Sequence, residues 1–250
     1  MKQALVIGGG GGLGRAIVAR LLDRQFEVVV AGRSRPADRR VSRSYAIDFS
    51  GLDWRSLYAT IEADTRLPIE ALVFVAGIGG FGKTALFPVE QARTLFEINF
   101  WACTSAAAQI AEFWASSGRR GTFIGVLSLA ARRPVPFEAY YSASKAAADR
   151  FLQCLDLEYG SKGIRILSAL PGVLNTTFRE SAQWYGLSPS RGGRTTGVYS
   201  AACAIERMLK GTRTARIIGW RERLIDIADR LAPGLYDQAV LRRRAARLDG

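Results

Sequence analysis

The chain has 250 residues, 48% hydrophobic and 23% charged, which suits one large globular domain with a sizeable buried core. Its 35 basic and 22 acidic residues leave a net charge of +13. The arginines are nevertheless spread along the chain without a recognition-helix or stacking motif, so nucleic acid is not the expected partner. Histidine is absent, which excludes Ser-His-Asp and Cys-His catalysis and His-ligated metals.

Cys103, Cys154 and Cys203 are widely separated and odd in number, so neither a disulfide framework nor a metal site is expected. No apolar run approaches the ~18 residues of a membrane span. Met1-Lys2-Gln3 leads straight into an apolar stretch without a leader pattern. A soluble, cytoplasmic protein is the expectation.

In chain order, ALVIG (4–8) reads as a short buried strand that ends in glycine. Five glycines, Gly8 to Gly12, then Leu13 and Gly14, join it to a segment with apolar residues at helical spacing, Leu13 to Arg24. Glycine lets the backbone approach a pyrophosphate closely, and the helix N-terminus offers free N–H groups to the anion. No Lys-Ser/Thr follows the last glycine, so a P-loop is not indicated. A flexible turn would look the same in isolation; its place in a βαβ unit favours a dinucleotide. The second strand, EVVVAG (27–32), runs into Arg33, with Ser34 and Arg35 following and no acidic residue to meet a ribose hydroxyl. Guanidinium suits a 2′-phosphate, so NADP(H) is expected over NAD(H), a solvated basic loop being the other reading.

Further strands are expected at 44–48, 67–77, 121–128, 163–172 and 213–219, and helices near 51–64, 88–117, 138–160 and 198–210. This alternation implies an α/β fold, a doubly wound parallel sheet of Rossmann type, in a single domain over 1–219. Residues 220–250 read as a helical extension packed on the same domain or on a partner subunit. Within 138–160, Tyr141 and Lys145 lie four apart, one turn along one helical face. An adjacent cation favours phenolate and moves the phenol toward acid–base use at neutral pH. Alone, that pair reads as an incidental Tyr and a solvated Lys; the rest of the chain reverses that reading.

Together these residues resemble the compact, single-domain branch of the short-chain dehydrogenase/reductase family, over about residues 3–219. Gly8-x-x-x-Gly12-Leu13-Gly14 looks like its coenzyme turn, and Asp48 falls where its adenine-contacting Asp lies. Ala76-Gly77 matches the end of its N-N-A-G segment, and Asn99 the Asn of its long helix. Ser128 precedes Tyr141 by thirteen residues, the family separation, and Pro171-Gly172 with Thr176 matches the segment lining the nicotinamide.

The resemblance implies an NADP(H)-dependent oxidoreductase that interconverts a carbonyl and an alcohol by hydride transfer. Tyr141 would be its acid/base, Ser128 would hold the carbonyl oxygen, and Lys145 would lower the Tyr pKa and bind the nicotinamide ribose. Asn99 would anchor a water beside Lys145. The coenzyme-binding set it implies is Gly8, Gly10, Gly11, Gly12, Leu13, Gly14, Arg33, Ser34, Asp48, Phe49, Ala76, Gly77, Tyr141, Lys145, Pro171, Gly172, Val173 and Thr176, with no metal. Homo-oligomers are usual in the family, so a homodimer or homotetramer through the helices at 88–117 and 138–160 is expected.

Five positions depart from the pattern: Ile7 for Thr, Phe74-Val75 for Asn-Asn, Gly125 for Asn and Leu127 for Ser. They motivate the rival reading, a weak or inactive NADP(H)-binding regulatory or scaffold protein of the same fold. In the loop 178–197, Phe178, Trp184, Tyr185 and Leu187 either wall an apolar substrate pocket or pack the loop down. Arg179, Arg191 and Arg194 would meet an acid or phosphate group, Gly192-Gly193 would hinge the loop, and Phe137 and Val173 would face substrate. The substrate is expected to be largely apolar. The tail reads as two helices, 220–232 and 235–249, the second rich in arginine; it covers the pocket, joins subunits or lies on an anionic membrane.

Overall fold

The computed structural model describes residues 2–34, 36, 38–41, 43–49, 51–187, 195–210 and 215–232, with backbone only at 215 and 216. Strands β1 (Lys2–Ile7), β2 (Phe26–Gly32), β3 (Arg43–Ala46), β4 (Ile69–Phe74), β6 (Gly121–Val126), β7 (Ile164–Pro171) and β9 (Ala215–Ile218) form one sheet. Its order is β3-β2-β1-β4-β6-β7-β9 and every pairing is parallel. This is the doubly wound architecture that the alternation of strands and helices implies. The winding reverses between β1 and β4, which opens a crevice at the carboxyl ends of those strands.

The sheet is buried on both faces because side chains alternate across it. Leu5, Ile7, Val29, Ala31, Leu72 and Phe74 point to one side. There they meet Tyr58 of α2 (Trp54–Thr65), Ile110 and Trp114 of α4 (Cys103–Ser116), and Leu152 of α5 (Ala139–Tyr159). Ala4, Val6, Val28, Val30 and Val73 point to the other, against Ile17 and Leu21 of α1 (Gly12–Asp23) and Ala202 and Ile205 of α6 (Val198–Met208).

Helix α5 runs for 21 residues without a Val, Ile or Thr, so nothing in it resists helical χ1 angles. It begins after Phe137, whose φ of 64° turns the chain sharply and aims its carbonyl at the Gly82 N–H, 2.8 Å away. The long helix expected at 88–117 is α3 (Val89–Phe96) and α4 joined through a π-helical turn, Glu97–Ala102, that contains Asn99. Such turns widen the helix locally and re-aim a side chain.

A small sheet was not legible in advance. Strand β5 (Gly80–Gly82) pairs in parallel with β8 (Gln183–Tyr185), fastening the loop after β7 to the chain leaving β4. Helix α7 (Trp220–Leu231) is the first of the two expected tail helices, and its Leu224, Ile227 and Leu231 are exposed. The second, at 235–249, lies outside the described residues, as do Arg35, Arg191 to Arg194 and the C-terminal arginines. No helix among the described residues is long and apolar enough to cross a membrane.

Candidate active site

A cleft of about 570 Å³ runs along the carboxyl ends of the strands. One end is the glycine turn. Gly8 has φ of 90°, and a methyl group on it would come within 2.6 Å of the Ala76 backbone nitrogen. Only glycine lets this turn lie directly on the chain leaving β4. Gly14 is bound in the same way, since a methyl there would strike the Gly8 carbonyl.

Helix α1 starts with Gly11 as its N-cap, so no side chain caps it, and its first turn carries no acidic residue. Its leading N–H groups are therefore available to an anion, with the helix dipole in support. Gly10, Gly11, Gly12, Leu13, Gly14, Arg33, Ser34 and Phe49 line this end. Ser34 lies directly against Gly10. Asp48 is exposed and is not among the lining residues, although the adjacent Phe49 is.

Toward the other end the cleft is lined by Ala76, Gly77, Ser128, Tyr141, Lys145, Pro171, Gly172, Val173 and Thr176. Ser128 caps a short 3-10 turn (Leu129–Ala131), its hydroxyl accepting from the Ala130 N–H at 3.2 Å. The same hydroxyl acts on the Tyr141 phenol and lowers its pKa. Lys145 is buried one turn beyond, with Nζ 5.9 Å from the Tyr141 ring centroid.

Asn99 is buried and is not among the residues lining the cleft, although its Oδ1 and Lys145 Nζ both lie beside Gly77. Its carboxamide accepts from the Ile78 N–H and donates to the Ile78 carbonyl, both at 3.0 Å, and donates to Ser144 Oγ at 3.3 Å. Ser144 in turn donates to the Tyr141 carbonyl at 2.8 Å. Asn99 thus ties the segment after β4 to the helix that carries Tyr141 and Lys145.

The electrostatics differ from the expectation that Lys145 lowers the Tyr141 pKa. Burial pushes the phenol well above its ordinary value; the Ser128 hydroxyl opposes this, Glu138 adds to it and Arg179 opposes it. Burial also pulls the Lys145 ammonium down to about 8, with Cys103 acting the other way. Desolvation outweighs the pairwise charge effect because both groups sit in the protein interior. At neutral pH Tyr141 is a protonated phenol, the form that donates a proton.

Beyond Tyr141 the wall is formed by Phe81, Leu129, Ala130, Val135 and Phe178, with Arg133, Glu138 and Arg179 among them. Arg179 Nη1 donates to Glu138 Oε1 at 2.9 Å, and its guanidinium lies 4.4 Å from the Phe81 centroid. Of the loop aromatics, Phe178 walls the cleft, whereas Trp184 and Tyr185 pack the loop down against Phe81 and Phe87. Both alternatives for the loop are therefore realised, by different residues. Leu187 and Phe137 are not among the lining residues.

A model of the short chain dehydrogenase family matches residues 2–184. The chain belongs to the short-chain dehydrogenase/reductase family.

Among relatives of this dehydrogenase/reductase, an uncharacterized oxidoreductase of Myxococcus xanthus is 31% identical over 70% of the chain and 73% of the relative. Versicolorin reductase 1 of Aspergillus parasiticus is 30% identical over 70% of each. A short-chain dehydrogenase from Streptomyces avermitilis superposes with a TM-score of 0.78 at 20% identity, covering 98% of both chains. Another, from Burkholderia cenocepacia and solved in complex with NADP, gives 0.75 at 25% identity over 98% and 99%. The protein is an oxidoreductase of this family.

The departures from the family pattern have a packing explanation in this oxidoreductase. Ile7, Phe74 and Leu127 are buried core residues, and Phe74 packs against Phe49 and Trp54 at 6.0 and 5.9 Å. Apolar contact replaces polar support there. At Gly125 a methyl group would come within 2.5 Å of Leu152 Cδ1, so glycine admits α5 closely onto β6.

Sequence reasoning missed Phe81, Val135, Glu138, Glu222 and Ile225 as cleft residues. Glu138, three residues before Tyr141, is the one that a nearby signal marked.

Proposed function

We propose that this oxidoreductase uses NADP(H) to interconvert a carbonyl and an alcohol. The observation that carries the reading is a single cleft with an uncapped glycine turn flanked by Arg33 and Ser34 at one end and Ser128, Tyr141 and Lys145 at the other. The glycine turn and the first turn of α1 suit a pyrophosphate, and Arg33 and Ser34 suit a phosphate on the adenosine ribose. That arrangement leaves the nicotinamide for the stretch between Thr176, Gly172 and Tyr141. The NADP-bound relative supports the coenzyme, and the versicolorin reductase supports the reductive direction.

The coenzyme, when bound, supplies the hydride. Tyr141 donates its phenolic proton to the carbonyl oxygen and takes it back in the oxidative direction. Ser128 holds that oxygen beside Tyr141, so developing negative charge meets a preorganised donor. Lys145 binds the ribose through its ammonium, and Asn99 acts through Ile78 and Ser144 to keep these groups in register. The apolar wall of Phe81, Val135 and Phe178 favours a largely apolar substrate. Domain 1–219 carries this chemistry, and the extension from 220 closes part of the same cleft. Trp101 and Leu157, exposed on the two long helical segments, support self-association into a dimer or tetramer.

A panel of aldehydes and ketones, followed by loss of nicotinamide absorbance with NADPH and with NADH, tests the assignment. Turnover with NADPH exceeding that with NADH is expected. Absence of turnover with either coenzyme across the panel overturns it in favour of a non-catalytic binding protein.

A further inference from the structure

Helix α7 begins well beyond the matched span of 2–184, yet its Glu222 and Ile225 line the cleft. Glu222 is seated against the end of β7. A methyl group on Gly172 would come within 2.6 Å of its Cγ, and one on Gly219 would collide with its carboxylate. Thr196 Oγ1 donates to Oε1 at 3.3 Å, and the neighbouring Arg223 Nε holds the helix to the Ile217 carbonyl at 2.9 Å. Glutamate at the third position of a helix is common for capping reasons alone. Capping accounts for its nearness to Gly219, the N-cap of the helix, but not for its seat against Gly172 in the wall of the cleft. Gly172, Val173, Leu174 and Thr176 share that stretch of wall, where the reading above lodges the nicotinamide.

The two redox forms of a nicotinamide ring differ by one positive charge. A carboxylate fixed in the wall beside the ring therefore acts on one form and not the other. We propose that Glu222 is a specificity-determining residue that makes the cleft hold the oxidised coenzyme more tightly than it would with a neutral side chain. At a few ångströms in an open cleft, where water still screens the pair, one unit charge is worth about a tenfold change in affinity.

This inference rests on the nicotinamide-coenzyme reading, and its test reads binding rather than turnover. Dissociation constants for NADP+ and NADPH are measured calorimetrically, without carbonyl substrate, for the wild-type chain, Glu222→Gln and Glu222→Asp. Glu222→Gln is expected to weaken NADP+ about tenfold while leaving NADPH unchanged or tighter, and Glu222→Asp to keep the wild-type ratio. Equal effects on both forms, or none, overturn the assignment. Should Glu222→Gln not melt cooperatively, Ile225→Lys places an opposing charge one turn along and is expected to shift the ratio the same way. An unchanged ratio in that variant equally overturns it. A wild-type chain that binds neither form defeats the coenzyme reading itself, which is a distinct result.

Discussion

Asn99 and Ile78 exchange two hydrogen bonds, each 3.0 Å, so that a side chain on a helix serves as a backbone partner for the segment leaving β4. That exchange satisfies both main-chain groups of Ile78, which lies between β4 and β5 and outside either strand. The π-helical turn at Glu97–Ala102 is what brings Asn99 into register for it.

Asn99→Ala leaves the Ile78 N–H and carbonyl without these partners and removes the link to Ser144. A loss of about 2–4 kcal/mol is expected, a fall in melting temperature of roughly 5–15 °C in a chain of this size. Thermal unfolding followed by circular dichroism checks it; an unchanged melting temperature refutes the structural role.

Lys145→Met is expected to stabilise the fold and abolish turnover together. The unfolded chain holds the lysine proton up to its ordinary 10.5, whereas the folded chain releases it at about 8. Between those values the unfolded state binds more protons, so wild-type stability rises with pH, and below pH 8 the cost of burying the charge is fully present. The variant should therefore be more stable by roughly 1–3 kcal/mol at pH 7. That advantage should shrink between pH 8 and 10.5, as read from denaturant midpoints across pH. A constant difference across that window rules out a buried, depressed lysine.

Tyr141→Phe keeps the ring, which packs edge-on to Phe81 at 5.7 Å, and removes only the hydroxyl. Carbonyl reduction should fall roughly 10²–10⁴-fold, the usual worth of a positioned proton donor, with NADPH affinity changed by less than about threefold. Steady-state rates and coenzyme titration decide it. Retained turnover reassigns the acid.

Arg33→Ala should weaken NADPH by roughly tenfold to a hundredfold, the value of a charge-assisted contact to phosphate. NADH binding should barely move. Parallel titrations with the two coenzymes check this, and equal losses would place Arg33 away from any phosphate that distinguishes them.

How much was legible in the chain depended on the range of the interaction. The glycine turn, the alternation of buried strand residues and the one-turn spacing of Tyr141 and Lys145 are local patterns. Backbone sterics and side-chain periodicity act between near neighbours, so a linear reading recovers the parallel sheet and most of the cleft lining. The pairing of Glu138 with Arg179, the fastening of β8 to β5 and the arrival of Glu222 beside Gly172 join residues 41, 103 and 50 apart along the chain, respectively. Such contacts exist only after the chain has folded. The same reason explains the electrostatic surprise: spacing alone puts a cation near a phenol, but how strongly water is excluded from both is a property of the packed interior. Local order determined which groups are present and in what sequence. Only tertiary packing decided that burial, rather than the adjacent amine, governs the acidity of Tyr141.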